Sequence, residues 1–183
     1  MMNRVRVGLV ADSHGYLDRR IAARVRDCDL VVHAGDIGSA AVLEALAACG
    51  GQVFAVRGNN DDYGRWDESD HQLLAALPEE AHIELPGGHL VVVHGHRAGG
   101  PAQRHTRLRN RYSDARAVVY GHSHRLVCDR SARPWVLNPG ACGRARTYGG
   151  PSCLVLDAGE SRWRVMEYRE PLQANVRVGR ARS

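Results

Sequence analysis

The chain has 183 residues, a formal net charge of +5 and 44% hydrophobic residues. This length supports one domain with a substantial core that needs neither disulfides nor structural zinc. The five cysteines are scattered without a CxxC pair, which favours free thiols in a reducing compartment over a zinc ribbon. No apolar run is long enough to cross a bilayer, and a strand pattern begins almost at the N-terminus. We therefore expect a cytoplasmic protein with no signal peptide and no membrane partner.

The basic residues are unusual because all 25 of them are arginine. The planar guanidinium group donates two hydrogen bonds to a phosphate, and a basic surface attracts anionic substrates or nucleic acid. A compositional bias acting on the whole chain would also remove every lysine. Aromatic residues make up only 5% of the chain, which is too few for a base-stacking platform. Nucleic acid is therefore an open but unfavoured partner.

The first third of the chain alternates strand and helix patterns. The apolar residues Leu17, Ile21 and Val25 recur at helical spacing, for example, and Ser39 is a candidate N-cap. The predicted strands cover residues 4–11, 30–34 and 52–56, and the predicted helices cover residues 17–27 and 39–50. Such an alternation is typical of a parallel sheet with helical crossovers.

The remainder of the chain is richer in strands. A Pro86-Gly87-Gly88 turn predicts a hairpin between residues 81–85 and 89–94. Residues 101–114 are Arg-rich and predict an exposed helix or an ordered loop. A further strand is predicted at residues 117–120, and later strands, which we expect to be antiparallel, are predicted at residues 135–137, 153–157 and 163–168. The whole pattern indicates one domain over residues 1–171, followed by a basic C-terminal tail over residues 172–183.

Five polar clusters follow strand-like runs, in a fixed order. They are Asp12-Ser13-His14, Gly35-Asp36, Gly58-Asn59-Asn60-Asp61, His94-Gly95-His96 and Gly121-His122-Ser123-His124. In open α/β sheets, ligands bind beyond the carboxyl ends of the strands, so the five loops can converge on one point. Oxygen and imidazole ligands at one point predict a hydrolytic site with two metal ions.

Each cluster is weak evidence when it is taken alone. Asp12 and His14 can leave the same face of an extended turn and hold one divalent ion, but both are also common in solvated turns. Asp36 can bridge two cations from a strand tip, although Gly-Asp is a frequent turn dipeptide. Asn59 offers a neutral amide oxygen, or it is a turn residue. Only the ordered set as a whole is specific.

Three histidines stand at the ends of two separate predicted strands. His94 follows one strand, and His122 and His124 follow another, with a spacing that lets one imidazole reach each of two adjacent metals. The remaining candidates lack a surrounding motif, and we expect them to be ordinary surface or partly buried histidines: His33, His71, His82, His89 and His105.

The ordered clusters resemble the calcineurin-like metallophosphoesterase superfamily, whose pattern is DxH, GD, GN, a histidine before glycine, and GHxH. They are most similar to its compact bacterial and archaeal phosphodiesterase branch, of which Arg57-Gly58-Asn59 and Asn138-Pro139-Gly140 are typical. The resemblance runs from Arg4 to about Gly140. It implies an α/β fold, a four-layer α/β/β/α sandwich of two mixed β-sheets flanked by helices.

The resemblance also implies a ligand set. One ion would be held by Asp12, His14, Asp36 and His124, and the other by Asp36, Asn59, His94 and His122, with Asp36 bridging. The two ions would lie ~3.5–4 Å apart and share a hydroxide that attacks phosphorus in line. Oxygen and imidazole ligands suit Mn²⁺, with Fe, Zn, Ni and Mg as alternatives.

Two further residues are candidates for the chemistry itself. Larger members of the superfamily have His, and the compact branch commonly has Cys, where this chain has Asn60. Asn60 cannot act as a general acid at neutral pH, but it could donate a hydrogen bond to phosphate or form a turn. His96 could contact the substrate or protonate the leaving oxygen, or it could support the site indirectly.

The neighbouring charged residues have two interpretations each. Asp61 and Asp62 could orient a ligating histidine, or they could be surface acids in a turn. Arg97, Arg104 and Arg107 follow the His94 cluster and could clamp a phosphate at the rim, although a solvated helix face is the simpler interpretation.

These observations favour a metal-dependent phosphodiesterase that acts on a small phosphodiester. One alternative is a phosphomonoesterase or nucleotidase of the same fold. A second is a non-catalytic scaffold resembling the retromer subunit, which predicts missing metal ligands, whereas all seven expected positions are occupied here. A homo-oligomer is compatible with the sequence.

Overall fold

The computed structural model describes residues 4–172. The predicted basic tail therefore lies, apart from its first residue, outside the described residues. The strands are β1 (Arg4–Val10), β2 (Leu30–His33), β3 (Gln52–Ala55), β4 (Glu80–Leu85), β5 (Gly88–Val93), β6 (Ala117–Tyr120), β7 (Leu126–Asp129), β8 (Trp135–Pro139), β9 (Ser152–Gly159) and β10 (Trp163–Arg169). The helices are α1 (Arg19–Val25), α2 (Ala40–Ala47), α3 (His71–Ala76) and α4 (Pro101–Arg111), with a 3₁₀ turn at Glu68–Asp70.

The strands form two five-stranded mixed sheets. The first has the order β10-β9-β1-β2-β3, in which β1, β2 and β3 are parallel and β9 and β10 are antiparallel. The second has the order β4-β5-β6-β8-β7, with a parallel centre formed by β5, β6 and β8. The antiparallel strands β4 and β7 lie at its two edges.

The alternation of side chains along each strand produces the layers. In β1, Val7 and Leu9 belong to the core between the two sheets, whereas Val10 packs on the opposite face with α1 and α2. Gly8 allows α1 to approach this face, because a Cβ at Gly8 would lie 2.8 Å from Val25 Cβ. Leu108 of α4 covers the second sheet from outside. The predicted four-layer α/β/β/α sandwich is therefore confirmed.

Most predicted elements are present. The parallel β1–β3 unit with its two helices, the β4–β5 hairpin and strands β6, β9 and β10 lie where the sequence predicted them. Residues 101–111 form the helix α4 rather than a loop. Within residues 4–172, no helix is long and apolar enough to cross a membrane.

Two features of the second half differ from the predictions. The strand at Trp135–Pro139 was expected to be antiparallel, but it runs parallel to β6 and is antiparallel only to β7. Strand β7, which was not predicted, is a half-buried edge strand of four residues that begins two residues after His124. The four residues of β7 show no alternation of apolar and polar side chains that would predict a strand. The direction of Trp135–Pro139 was missed because the residues of a strand do not specify whether its neighbours are parallel or antiparallel.

Candidate metal centre

The five polar clusters converge at the carboxyl ends of β1, β2, β3, β5 and β6. Their backbone is unusual, because five of the seven predicted ligands have positive φ. These are Asp12 (54°), His14 (46°), Asp36 (55°), His122 (64°) and His124 (57°). Positive φ is uncommon outside glycine and concentrates at functional sites, where the surrounding structure maintains it. The left-handed backbone conformation therefore occurs at five of the residues that the motifs predicted as ligands.

One group of ligand atoms lies on the β1 side of the centre. Asp12, His14, Asp36 and His124 each offer one ligand atom, and these atoms lie within 4.8 Å of one another. The two imidazole Nε2 atoms of His14 and His124 are 3.1 Å apart, and His124 Nε2 is 3.5 Å from Asp12 Oδ1. Two carboxylates and two imidazoles at this spacing can hold one divalent cation.

A second group lies on the β5 side. Asn59 Oδ1 is 3.1 Å from both His94 Nε2 and His122 Nδ1. His94 Nε2 is in turn 3.2 Å from Asp36 Oδ1. One amide oxygen, one carboxylate oxygen and two imidazole nitrogens therefore meet at a second point.

Asp36 lies between the two groups. Its Oδ1 faces His94, and its Oδ2 is 3.8 Å from His14 Nε2. Asn60 fixes this orientation, because its backbone N donates to Oδ1 at 2.8 Å and its Nδ2 donates to Oδ2 at 2.6 Å. The carboxylate is buried and presents one oxygen to each group.

The ring tautomers of two histidines follow from their backbone contacts. His94 Nδ1 lies 2.9 Å from Ala34 O, and His124 Nδ1 lies 2.9 Å from Ala145 O. A carbonyl oxygen only accepts, so each Nδ1 carries the proton and donates. In the neutral ring, each Nε2 therefore offers its lone pair to the centre, as is usual for metal-ligating histidines.

Asp12 supplies a direct test of whether a cation fits. Its Oδ1 accepts a hydrogen bond from His122 N at 3.1 Å, whereas its Oδ2 is buried with no hydrogen-bond partner among residues 4–172. A buried carboxylate oxygen without a partner is costly. The Asp12 carboxylate belongs to the first group of ligand atoms, so a divalent ion held by that group could satisfy the unpaired oxygen, and the oxygen and imidazole set contains no thiolate. The residues present therefore fit such an ion.

The protonation states of three groups suit ligation. Burial raises the pKa of Asp12 to about 7 and lowers the pKa of both His122 and His124 to about 4. Burial also raises the pKa of the Asp36 carboxyl, but the hydrogen bonds and charge of His94 together with the Asn60 hydrogen bonds hold it below its usual range. His122 and His124 are therefore neutral at pH 7 and Asp36 is ionised, which are the states that bind metals. Burial lowers the pKa of His94, but its hydrogen bond and charge interaction with Asp36 raise it above its usual value, so His94 loses a proton when it binds a metal ion.

His96, a candidate for the chemistry, lies at the edge of the centre. Its ring is half-buried, with its centroid 5.5 Å from that of His94 and 6.3 Å from that of His122. It also lines a cavity of about 290 Å³ that extends towards Leu108 and Tyr112 of α4. The position is compatible with substrate contact.

The two aspartates of the third cluster have different environments. Asp61 is buried, and its carboxylate accepts from the backbone N of Ile37, Gly38 and Gly58 at 3.2, 2.9 and 2.8 Å. It accepts a fourth bond from the Trp66 indole at 3.2 Å and none from a histidine. Asp61 therefore neither orients a histidine nor lies at the surface. Its carboxylate joins the loop after β2, which carries Asp36, to the loop after β3, which carries Asn59.

Asp62, Arg97 and Arg104 differ in how well their environments agree with the predictions. Asp62 is a partly exposed turn residue that caps Gly64 N and pairs with Arg65, as one interpretation predicted. Arg97 is exposed and paired with Glu79. Arg104, by contrast, is buried and donates to Gly99 O at 3.1 Å, so it does not belong to a solvated helix face.

Two histidines that we expected to lie at the surface or to be partly buried, without a specific role, form side-chain hydrogen bonds within the fold. His33 is fully buried, and its Nε2 lies 2.8 Å from Ser13 Oγ, which donates to Ile37 O. The expectation of a surface or partly buried residue is therefore wrong for His33, because the strand carries it beneath the β1 loop. His105 connects two elements, with Nδ1 2.9 Å from Asp129 and Nε2 3.0 Å from the Tyr120 hydroxyl.

One further residue of the centre, Arg146, was not predicted. Arg146 lies in the loop after β8, has φ of 51°, and places Nη2 2.9 Å from His124 Nε2. It lies outside the five clusters and is one of 25 arginines, so no pattern distinguished it.

Two mixed sheets within a four-layer sandwich, with carboxylate and imidazole side chains at the strand ends, are typical of the metallophosphoesterase class. Residues 5–161 match the family described as the calcineurin-like phosphoesterase superfamily domain. The chain belongs to that superfamily.

Several relatives and solved structures are similar to most of the chain. A phosphodiesterase of Methanocaldococcus jannaschii is 25% identical over 176 residues, which is 91% of this chain and 98% of the relative. A predicted phosphoesterase of Streptococcus pneumoniae has a TM-score of 0.67 at 23% identity, over 92% of this chain and 91% of the other. A single mutant of Vps29 from Entamoeba histolytica has a TM-score of 0.72 at 19% identity, over 90% and 92%. These structural likenesses show the fold.

Proposed function

We propose that this protein is a dinuclear metal-dependent phosphodiesterase that hydrolyses a small phosphodiester. The observation that carries the proposal is the placement of Asp36, whose two oxygens face two separate ligand groups. A carboxylate in this position can bridge two cations. The similarity to a protein named as a phosphodiesterase supports the reaction class.

We assign each ion to one group. Asp12, His14, Asp36 and His124 would hold the first, and Asp36, Asn59, His94 and His122 the second, with Mn²⁺ the favoured ion and Fe, Zn, Ni and Mg the alternatives. When bound, two such ions supply a water of lowered pKa and neutralise charge that develops on the phosphoryl oxygens. The chain contributes orientation, because the Ala34 and Ala145 carbonyls fix the rings of His94 and His124.

The chain around Asn60 favours diesters over monoesters. Asn60 is neutral, and its backbone N–H and one N–H of its side-chain amide donate to Asp36. A dianionic monoester therefore meets no imidazolium at this position. A monoester also lacks the second ester group, for which the cavity beside His96 has room.

The alternative of a non-catalytic scaffold has less support. Vps29 structures share the fold, but at 19% identity they support no more than the fold. A chain that had lost the chemistry would be free to lose ligands. Here all seven positions are retained, five of them in a strained backbone conformation.

Metal stoichiometry tests the proposal directly. Elemental analysis of protein that has been stripped of metal and dialysed against Mn²⁺ should approach two equivalents per chain, because the ligands form two overlapping sets. Reloading ion by ion, followed by assays with aryl diesters and monoesters, should give the highest kcat/KM on a diester. A plateau at one equivalent, or metal-loaded protein that hydrolyses neither ester class, would contradict the proposal.

Substituting Asn60→His tests the basis of the preference. An imidazole at this position could bind the extra charge of a monoester and assist the leaving group, and such help is typically worth ~10²- to 10⁴-fold. We therefore expect the kcat/KM ratio of an aryl monoester to its matched diester to rise while metal content stays constant. Asn60→Ala is the matched control, because it removes the Nδ2 bond to Asp36 without adding an imidazole. An Asn60→His ratio equal to that of wild type would assign the preference to other residues.

A further inference from the structure

We propose that Arg146 binds the substrate phosphate and that its guanidinium, which contacts His124 in this structure, turns onto a non-bridging phosphate oxygen when metal and substrate are bound. This inference rests on the proposed function, and it adds a cationic binding residue that none of the five clusters contains. Arg146 lies in the loop over residues 140–150, which follows β8.

The loop is held firmly against the centre. Gly143 packs on the β1 loop so closely that a Cβ there would lie 2.3 Å from Ser13 O. Ala145 O accepts the hydrogen bond from His124 Nδ1 at 2.9 Å. Arg146, the next residue, has φ of 51°, a left-handed conformation that the surrounding contacts must maintain. The backbone therefore places the Arg146 side chain beside His124.

The atom that Arg146 contacts is the lone pair proposed for the first ion. Because His124 Nδ1 carries the ring proton, Arg146 Nη2 donates to Nε2 at 2.9 Å. One lone pair cannot serve both a guanidinium and a metal ion. A bound ion therefore removes the only acceptor that Arg146 has among residues 4–172, while the anchored loop keeps the guanidinium at the rim of the centre.

The substrate supplies the acceptor that is then missing. A phosphate oxygen is charged, and the planar fork of a guanidinium can donate two hydrogen bonds to a phosphate at once. Nearby arginines have aromatic partners instead. The Arg144 guanidinium lies 3.5 Å from the centroid of the Tyr16 ring, and that of Arg125 lies 4.3 Å from the centroid of the Tyr148 ring. Arg146 makes neither an aromatic contact nor an ion pair within the described chain.

The test measures anion binding separately from catalysis. Full-length protein loaded with Mn²⁺ is titrated calorimetrically with inorganic phosphate, and Mn²⁺ affinity of the metal-free protein is measured in parallel. In Arg146→Ala, phosphate affinity should fall about 10- to 100-fold, the range expected for charge-assisted hydrogen bonds. Mn²⁺ affinity should stay unchanged or rise, because a competitor for His124 Nε2 has been removed.

Arg144→Ala is the matched control, because it removes the same charge two residues away and should change phosphate affinity by less than about twofold. Arg146→Lys should fall between wild type and alanine, since it keeps the charge and loses the fork. Unchanged phosphate affinity in Arg146→Ala would overturn the inference. Weakened Mn²⁺ affinity would overturn it too, because Arg146 would then support His124 rather than bind the anion. Wild-type protein that binds phosphate but hydrolyses no ester contradicts the proposed function alone.

Discussion

Replacing Asp36 with alanine should lower kcat by about 10³-fold or more and weaken both metal sites. Asp36 is the residue whose two carboxylate oxygens face both ligand groups, at 3.2 Å from His94 Nε2 and 3.8 Å from His14 Nε2. Metal ions contribute several kcal/mol of transition-state charge stabilisation, and each 1.36 kcal/mol is about tenfold in rate. The loss of a shared ligand should therefore disturb both ions at once.

His14→Ala is the matched comparison, because His14 belongs to the first group alone. Its removal should weaken one Mn²⁺ equivalent much more than the other in a metal titration, whereas Asp36→Ala should weaken both. Steady-state kinetics on an aryl diester and titrations of the metal-free proteins separate the two patterns. Retention of two tightly bound ions and wild-type kcat by Asp36→Ala would show that Asp36 bridges nothing.

Much of the centre was predictable because of a general property of parallel sheets. Strands that run in the same direction end at the same edge, so polar residues after successive apolar runs must meet there. Asp12 and Asp36 come together in this way from β1 and β2 of the first sheet. His94 follows β5 of the second sheet, and it reaches Asp36 because the two sheets pack against each other across a shared core. The convergence of the clusters depends on where the strands end and not on their exact pairing. The site residues could therefore be predicted although the direction of Trp135–Pro139 was predicted incorrectly.

The features that the sequence did not reveal depend on contacts between distant residues. His33 is buried because the sheet carries it beneath the β1 loop, where Ser13 Oγ satisfies its Nε2. Arg146 reaches His124 because a glycine-rich loop folds back on the β1 turn. Neither contact has a local spacing that a motif could record. A sequence pattern identifies candidate ligands at strand ends, but not the residues that other loops bring to them.

Asp61 and Asp62 also show that a sequence pattern does not reveal contacts between distant residues, because these adjacent aspartates have different environments. In sequence they are two acids in one turn. In the structure Asp61 is 2% exposed and accepts four hydrogen bonds, whereas the carboxylate of Asp62 is partly exposed, accepts from Gly64 N and pairs with Arg65. Because their environments differ, we expect the same substitution at the two positions to have very different effects on the free energy of unfolding.

Asp61→Ala should lower the free energy of unfolding by about 3 kcal/mol or more, because it leaves four donors without an acceptor and each unsatisfied buried group costs ~1–3 kcal/mol. Three of them are the backbone N–H groups of Ile37, Gly38 and Gly58, on the two loops that carry Asp36 and Asn59.

Asp62→Ala should change the same quantity by less than about 0.5 kcal/mol, since surface substitutions away from such networks usually do so. Urea denaturation in the presence of a chelator measures both variants without any contribution from metal binding. Asp61→Asn should lie between Asp61→Ala and wild type, because one amide oxygen still accepts while the amide nitrogen faces other donors. Equal stabilities for the alanine variants at 61 and 62 would mean that the Ile37, Gly38 and Gly58 amides find water instead, and that the two loops hold their positions without the Asp61 carboxylate.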